Sequence, residues 1–251
     1  MEDLDAPRVV PGSADDILRT LEAHGLHWDG VVEYQSRRTD LYARALTELA
    51  SLGLTFECSC SRRELAGREA TAYPGTCRGG PTRRGPTATR FRVDVTRSVR
   101  FQDRIQGPCE FALDRLGDVV VRRRDGHHAY QLAVVVDDGA QSVTDIVRGA
   151  DLLDSTPWQI ELQRALRLPH PSYAHLPLVV EPDGSKLGKS RRSVHADPGS
   201  AGASLTEVLR LMRQDPPPEL AREPPPVILE WAIQHWDSVK LSRTPTVPAS
   251  S

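Results

Sequence analysis

Four side chains able to hold a metal fall within one short stretch. Cys58 and Cys60 are separated by one residue, and Tyr73 and Cys77 follow after twelve and three intervening residues. Thiolates suit zinc, whose tetrahedral site asks for a fourth donor. No histidine lies near: the next after His27 is His127. The fourth donor is therefore Tyr73, a carboxylate such as Glu64 or Glu69, or water. A phenolate is feasible because the metal's charge favours the deprotonated form. Alternation along TFECSC puts Cys58 and Cys60 on one face. Residues 61–90, rich in Arg, Gly, Thr and Pro, hold too little apolar content to fold unaided. The competing reading is a set of buried thiols without metal; Cys109 stands apart as a core residue.

A second group is GSKLGKS at 184–190. The chain has only three lysines among its 32 basic residues, and two of them are Lys186 and Lys189. Lysine is a compact point charge, not interchangeable with arginine's fork at a phosphate. Gly184 and Gly188 allow close backbone approach, and the two ammonium groups can neutralise charge on a triphosphate. The order of residues is not that of a Walker loop, and a solvated surface loop is the plainer alternative. Placement after a strand favours a ligand, because open α/β sheets bind at that end.

Tyr130 and Arg148 can grip a small acid. Arg148 follows the apolar pair Ile146 and Val147, at a strand end where it could clamp a carboxylate bidentately. An ion pair with Asp151 or Asp154 would explain it equally well. Asp137 and Asp138 are adjacent carboxylates that end an apolar run and could merely cap it.

The elements that must position these groups alternate between helix and strand. Ser13 with Asp16 forms a helix start, with Ile17, Leu18 and Leu21 on one face. A second helix runs from Thr39, buries Leu41, Ala45, Leu46 and Leu49, and stops at Gly53. Strand patterns follow at 55–60, 90–95, 99–103 and 118–122, then at 143–147 and 175–180. AYQLAVVVDD is either a buried strand or a buried helix. Ser155, Thr156 and Pro157 open a helix that carries Trp158, Leu162, Ala165 and Leu166 inward. Ser204 and Glu207 form a capping box, residues 215–226 a stiff connector, and 227–239 a last helix burying Trp231. The tail is expected to be disordered. Alternating strands and helices predict an α/β fold with a largely parallel sheet.

A chain of 251 residues holds one substantial core, with room for a small satellite. Hydrophobic content of 39% and charged content of 26% suit a globular protein. No apolar run approaches the roughly 20 residues that span a bilayer, and the N-terminus lacks a signal pattern, which predicts a cytoplasmic protein with no membrane partner. Net charge of −2 excludes a general polyanion binder. The stretch 62–100 is an exception, with ten arginines against Glu64, Glu69 and Asp94. It is either a phosphate-binding surface or a solvated basic face.

Together, EDLDAPR, GLHWDG, the CSC…Y…C set, RRRDGHHAYQLAVVVDD, VRGADLLDSTPWQ and HLPLVVEPDGSKLGKS resemble the class I glutamyl-tRNA synthetase superfamily. The match covers residues 2 to about 190 and is closest to the short paralogues that act on queuosine-bearing tRNA(Asp). The resemblance implies a Rossmann-type class I catalytic domain split by an inserted zinc subdomain. The implied division is 1–55 and 105–190 for the catalytic α/β domain, 56–104 for the acceptor-type insertion, and 191–251 for a short helical C-terminal segment. It implies ATP-dependent activation of L-glutamate without tRNA, Mg2+ accompanying ATP, and transfer to the queuosine base at the wobble position of tRNA(Asp) by a monomer. Glu2, Tyr130 and Arg148 fall on its glutamate-binding positions. Lys186, Leu187, Gly188, Lys189 and Ser190 fall on its KMSKS-like ATP loop. Cys58, Cys60, Tyr73 and Cys77 fall on its one zinc site, which makes tyrosine the fourth ligand. No side chain is assigned a covalent or acid–base catalytic role.

Two departures from the family pattern matter. Glycine stands at position 188 where the family usually has serine, a change of modest expected effect. The family's opening strand with R-F-A-P-S-P-T-G, and the helix start that holds ATP phosphates, have no counterpart before Glu2. The expectation is a Rossmann domain without its first strand and helix, and little or no glutamate-dependent ATP–pyrophosphate exchange. The alternative function is a catalytically inactive tRNA-binding remnant.

Overall fold

The computed structural model describes residues 1–5, 8–61, 64–65, 72–181 and 197–248. Its helices and strands form two sheets packed around one main core, with a small third sheet. Helix α1 spans Ser13–Ala23. Helix α2, Thr39–Ser51, ends as its sequence predicts: Gly53 takes φ 69°, and its N–H and that of Leu54 return to the carbonyls of Ala50 and Leu49.

The first sheet is antiparallel, in the order β1 (Thr55–Cys58), β2 (Ala88–Phe91), β5 (Val119–Arg122). The second takes the order β4 (Gly107–Ala112), β3 (Ser98–Asp103), β7 (Ser172–Leu176), β6 (Asp145–Gly149). A short helix α3, Leu113–Leu116, links β4 to β5. Strand membership thus interleaves across residue 104: β3 joins β7, whereas β5 joins β2.

The sheets are mixed, not largely parallel. β6 and β7 are parallel because helix α5 (Thr156–Ala165) supplies the crossover between them. β3 also meets β7 in parallel, at Asp103 and Tyr173. β3 and β4 are antiparallel because only three residues join them, and the Asp103 carboxylate accepts the N–H groups of Ile105 and Gln106 in that turn.

The ambiguous run AYQLAVVVDD is helical: α4 spans Tyr130–Ala140. It packs against α2, α5 and β5 and buries Leu132, Ala133 and Val135. Being apolar on several faces, it shows neither a clean strand nor a clean helix period. The main core joins these residues to Tyr42, Leu49, Val99, Leu113, Val121 and Leu162.

Other local expectations change. α1 begins at Ser13 without a side-chain cap and buries none of its residues; Ile17 is 48% exposed. The predicted strand at 175–180 is divided by Pro177 into β7 and β8 (Leu178–Val180). Helix α6, Ala201–Leu211, starts before the predicted capping box, and Asp197 caps the turn ahead of it. Helix α7, Pro225–His235, leaves Trp231 only partly buried, stacked on His235 at 4.5 Å. Residues expected to be a disordered tail instead form β9 (Thr246–Pro248), parallel to β8. No helix among the described residues is long and apolar enough to cross a membrane.

Asp137 locks α2 to α4. Its carboxylate accepts from Gln35 Nε2 at 2.9 Å, Arg38 Nε at 2.7 Å and Tyr42 Oη at 2.8 Å. Asp137→Ala would leave three buried or half-buried donors without their acceptor. It is expected to lower unfolding free energy by about 3–5 kcal/mol. The urea denaturation midpoint measures this, and a change near zero would show that the node does not hold the two helices together.

Candidate metal cluster and amino-acid site

The three thiols of the Cys58–Cys60–Cys77 set lie within 4.8 Å of one another. Cys60 Sγ is 3.6 Å from Cys77 Sγ, and Tyr73 Oη is 3.3 Å from Cys58 Sγ and 3.8 Å from Cys60 Sγ. A tetrahedron with metal–sulfur bonds of about 2.3 Å has edges of roughly 3.8 Å, close to these three separations. Burial works to raise the Cys77 thiol, but the Tyr73 hydroxyl and backbone hydrogen bonds from Ser59 and Thr82 outweigh it, and the pKa falls to about 5. Burial and the neighbouring thiols push the Tyr73 phenol upward.

The surroundings explain how a glycine-rich stretch holds this geometry. Gly117, at φ 68°, lies against the Tyr73 backbone; a Cβ there would stand 2.6 Å from Tyr73 N. Arg90 places its guanidinium 3.9 Å above the Tyr73 ring and donates to the Asp118 carbonyl. Arg78 forks onto the buried Asp118 carboxylate at 2.7 and 2.6 Å. Arg124 donates to the Ser59 carbonyl.

Much of the basic stretch is consumed this way. Arg83 pairs with Glu64, Arg97 with Glu161 and Arg100 with Glu110. These arginines have carboxylate partners within the chain while their side chains stay half or more exposed.

The second constellation gathers at the ends of α4 and β6. Residues at the N-terminus are laid against 33–36: the Asp3 carboxylate accepts from the N–H and hydroxyl of Ser36 at 2.8 and 2.6 Å. Tyr130 feels burial first, which raises its pKa, then the opposing charge of Arg148, then Glu2 and Asp138. Glu2 and Arg148, distant in sequence from Tyr130, are thus close enough for their charges to act on it. Asp138 feels the charges of Arg148 and Glu2 as well. Burial raises its pKa to about 6, Arg148 opposes this, and Asp137 and Glu2 add to it.

The guanidinium of Arg148 is fixed by neutral groups: His175 Nε2 at 3.1 Å, Thr156 Oγ1 at 2.9 Å and Gln159 Oε1 at 2.7 Å. Gln159 in turn donates to Gln131 Oε1. These partners were not among the sequence candidates. Thr156 and Gln159, three residues apart on a helix, share a face, and that spacing is the only local signal for them. The predicted ATP loop, 186–190, lies outside the described residues.

The catalytic-domain model of the class I tRNA synthetases (E and Q) matches residues 1–199. The chain belongs to this family. The glutamyl-Q tRNA(Asp) synthetase of Pseudomonas aeruginosa strain LESB58 is 51% identical over 249 residues, which cover 99% of this chain and 84% of that relative. Its counterpart in Pseudomonas paraeruginosa strain DSM 24068 / PA7 is 49% identical over 252 residues, 100% of this chain and 85% of the relative. The fold is shared with the glutamate tRNA ligase of Elizabethkingia meningosepticum CCUG26117, solved with its amino acid. That match has a TM-score of 0.77 at 22% identity and covers all of this chain and 59% of the ligase. The glutamate-tRNA synthetase of Elizabethkingia anophelis gives 0.78 at 23% identity, covering 100% and 60%. The family assignment and the α/β class read from the motifs agree with these matches.

Proposed function

We propose that this family member activates L-glutamate with ATP, without tRNA, and transfers the glutamyl group to the queuosine base at the wobble position of tRNA(Asp). The 51% identity to a glutamyl-Q tRNA(Asp) synthetase over nearly the whole chain carries this reading. A glutamate carboxylate oxygen attacks the α-phosphorus of ATP, pyrophosphate leaves, and a mixed anhydride forms. The acceptor oxygen then attacks the carbonyl, and AMP leaves.

The chain's own residues bind and orient. Arg148 is the carboxylate anchor. Since the α-carboxylate must stay free to attack phosphorus, the guanidinium suits the side-chain carboxylate of glutamate. Tyr130 offers a hydroxyl beside it, and Glu2 supplies negative charge for the substrate ammonium. Lys186, Leu187, Gly188, Lys189 and Ser190 form the ATP loop, with Lys189 on the phosphates and Mg2+ accompanying the nucleotide. Cys58, Cys60, Tyr73 and Cys77 hold one Zn2+, whose role is to fold the insertion (56–104 in the proposed division) and not to enter the reaction. The protein acts as a cytoplasmic monomer.

Glutamate-dependent exchange of radiolabelled pyrophosphate into ATP, with no tRNA present, tests the activation step. Exchange that needs glutamate and is not supported by glutamine would mark the enzyme, against the little or no exchange expected from the sequence. Tight binding of tRNA with no exchange at any glutamate concentration would favour the tRNA-binding remnant. Acid-labile glutamate on tRNA(Asp) bearing queuosine, and none on the same tRNA with guanosine at the wobble position, tests the acceptor.

A further inference from the structure

We infer that the buried pair of Asp103 and His175 fixes the tautomer that holds Arg148 in its binding orientation, which makes both of them positioning residues for glutamate. The inference rests on the reading of Arg148 as a carboxylate anchor. Both side chains are fully buried, and His175 Nδ1 lies 2.6 Å from Asp103 Oδ2. The other ring nitrogen, Nε2, lies 3.1 Å from Arg148 Nε.

Arginine is a donor only and does not lose its proton in a protein. Nε2 must therefore be bare at this contact, and the ring proton sits on Nδ1, where it is donated to Asp103. Thr156 Oγ1, 3.2 Å from the same nitrogen, is a rotatable hydroxyl that can donate to Nε2 or to the Leu152 carbonyl at 3.1 Å, so it does not set the choice. A doubly protonated ring would point an N–H at a guanidinium. Burial pulls the His175 pKa down, Asp103 pulls it up, and Arg148 adds to the fall; the net shift is downward, towards the neutral ring.

Asp103 is itself held rigidly. Its Oδ1 accepts the backbone N–H groups of Ile105, Gln106 and His175 at 2.9, 2.8 and 3.1 Å. That cradle determines what Asp103→Asn would do. The amide oxygen must stay with the three N–H donors, so the amide nitrogen replaces Oδ2 and donates to His175 Nδ1. The ring proton then moves to Nε2, where it faces the Arg148 N–H, and the guanidinium loses its anchor. The variant is nearly isosteric and keeps the turn capped, so the fold should survive.

The test combines 15N two-bond correlation spectra of His175 with calorimetric titration of glutamate and of ATP. Wild type is expected to show the neutral Nδ1–H tautomer, and Asp103→Asn the Nε2–H tautomer. Glutamate affinity should weaken tenfold or more in that variant, with ATP affinity unchanged. His175→Gln, which returns an acceptor oxygen towards Arg148, should bind glutamate more tightly than His175→Leu. An Nε2–H tautomer in wild type, an unmoved proton in Asp103→Asn, or equal affinities for the Gln and Leu variants would each overturn the inference. If Arg148→Ala weakens glutamate and Asp103→Asn does not, only the positioning role fails. If Arg148→Ala leaves glutamate affinity intact, the anchor reading fails and takes this inference with it.

Discussion

Cys77→Ala is expected to abolish the proposed zinc binding and, with it, the order of the segment around the cysteine cluster. Purified wild-type chain should carry close to one equivalent, and the variant less than about half. The effect is large because the site has few alternatives. Structural zinc sites contribute on the order of 10 kcal/mol of apparent binding free energy, and that energy is folding energy where no preformed site exists. Here the cluster's own apolar support is small: Phe56, Cys58, Tyr73 and Cys77, with Cys60 and Leu65 beside them. Gly117→Ala attacks the same site from behind, because its new methyl would meet the Tyr73 backbone. It should lower zinc content while leaving all three thiols in place. Metal analysis by plasma emission and a thermal melt with and without chelator measure both variants. Wild-type protein with under half an equivalent, indifferent to Cys77→Ala, would defeat the zinc assignment.

Arg148→Ala is the second large effect. Truncating one partner of a desolvated, hydrogen-bonded charge pair costs about 3 kcal/mol, or roughly a hundredfold in glutamate affinity. The loss should appear in direct calorimetric titration of glutamate, while ATP affinity stays near wild type. Arg148→Lys should recover little of it. An ammonium group cannot reproduce a planar fork that meets His175, Thr156 and Gln159 together. A loss shared equally between glutamate and ATP would point to collapse of the pocket and not to a missing anchor.

How far these sites were legible follows from the distances along the chain. Cys58, Cys60, Tyr73 and Cys77 sit within 20 positions, and their residue types carry the chemistry, so spacing alone suggests a metal. Tyr73 as the fourth donor came from family resemblance; thiol spacing left carboxylates and water open. The lock around Arg148 left almost no trace in sequence. Asp103 and His175 are 72 positions apart, on strands joined by a single parallel bridge. A histidine in the pattern SYAHL looks like any half-buried strand residue until its neighbours are known. Asp137 and Asp138 are instructive in the same way. As adjacent carboxylates they look alike, yet one accepts from Gln35, Arg38 and Tyr42 and the other feels the charge of Arg148. A helix turns its neighbours by about 100°, and the run's ambiguity between strand and helix hid that divergence. The parallel-sheet expectation failed where a three-residue turn forced β4 back beside β3, a constraint that alternation of elements does not express.

The two sites also differ in how much chain each must enclose. Cys60 and Cys77 close a loop of 17 positions, whereas Gln35 and Asp137 close one of 102. With loop-closure entropy growing as the logarithm of length, the longer closure costs about 1.6 kcal/mol more before any contact forms. The cysteine cluster can therefore gather while α2 and α4 are still far apart. On closure entropy alone, the junction of α2 with α4 forms after the cluster. A lower φ-value at Asp137 than at Cys77 is the kinetic mark of that order.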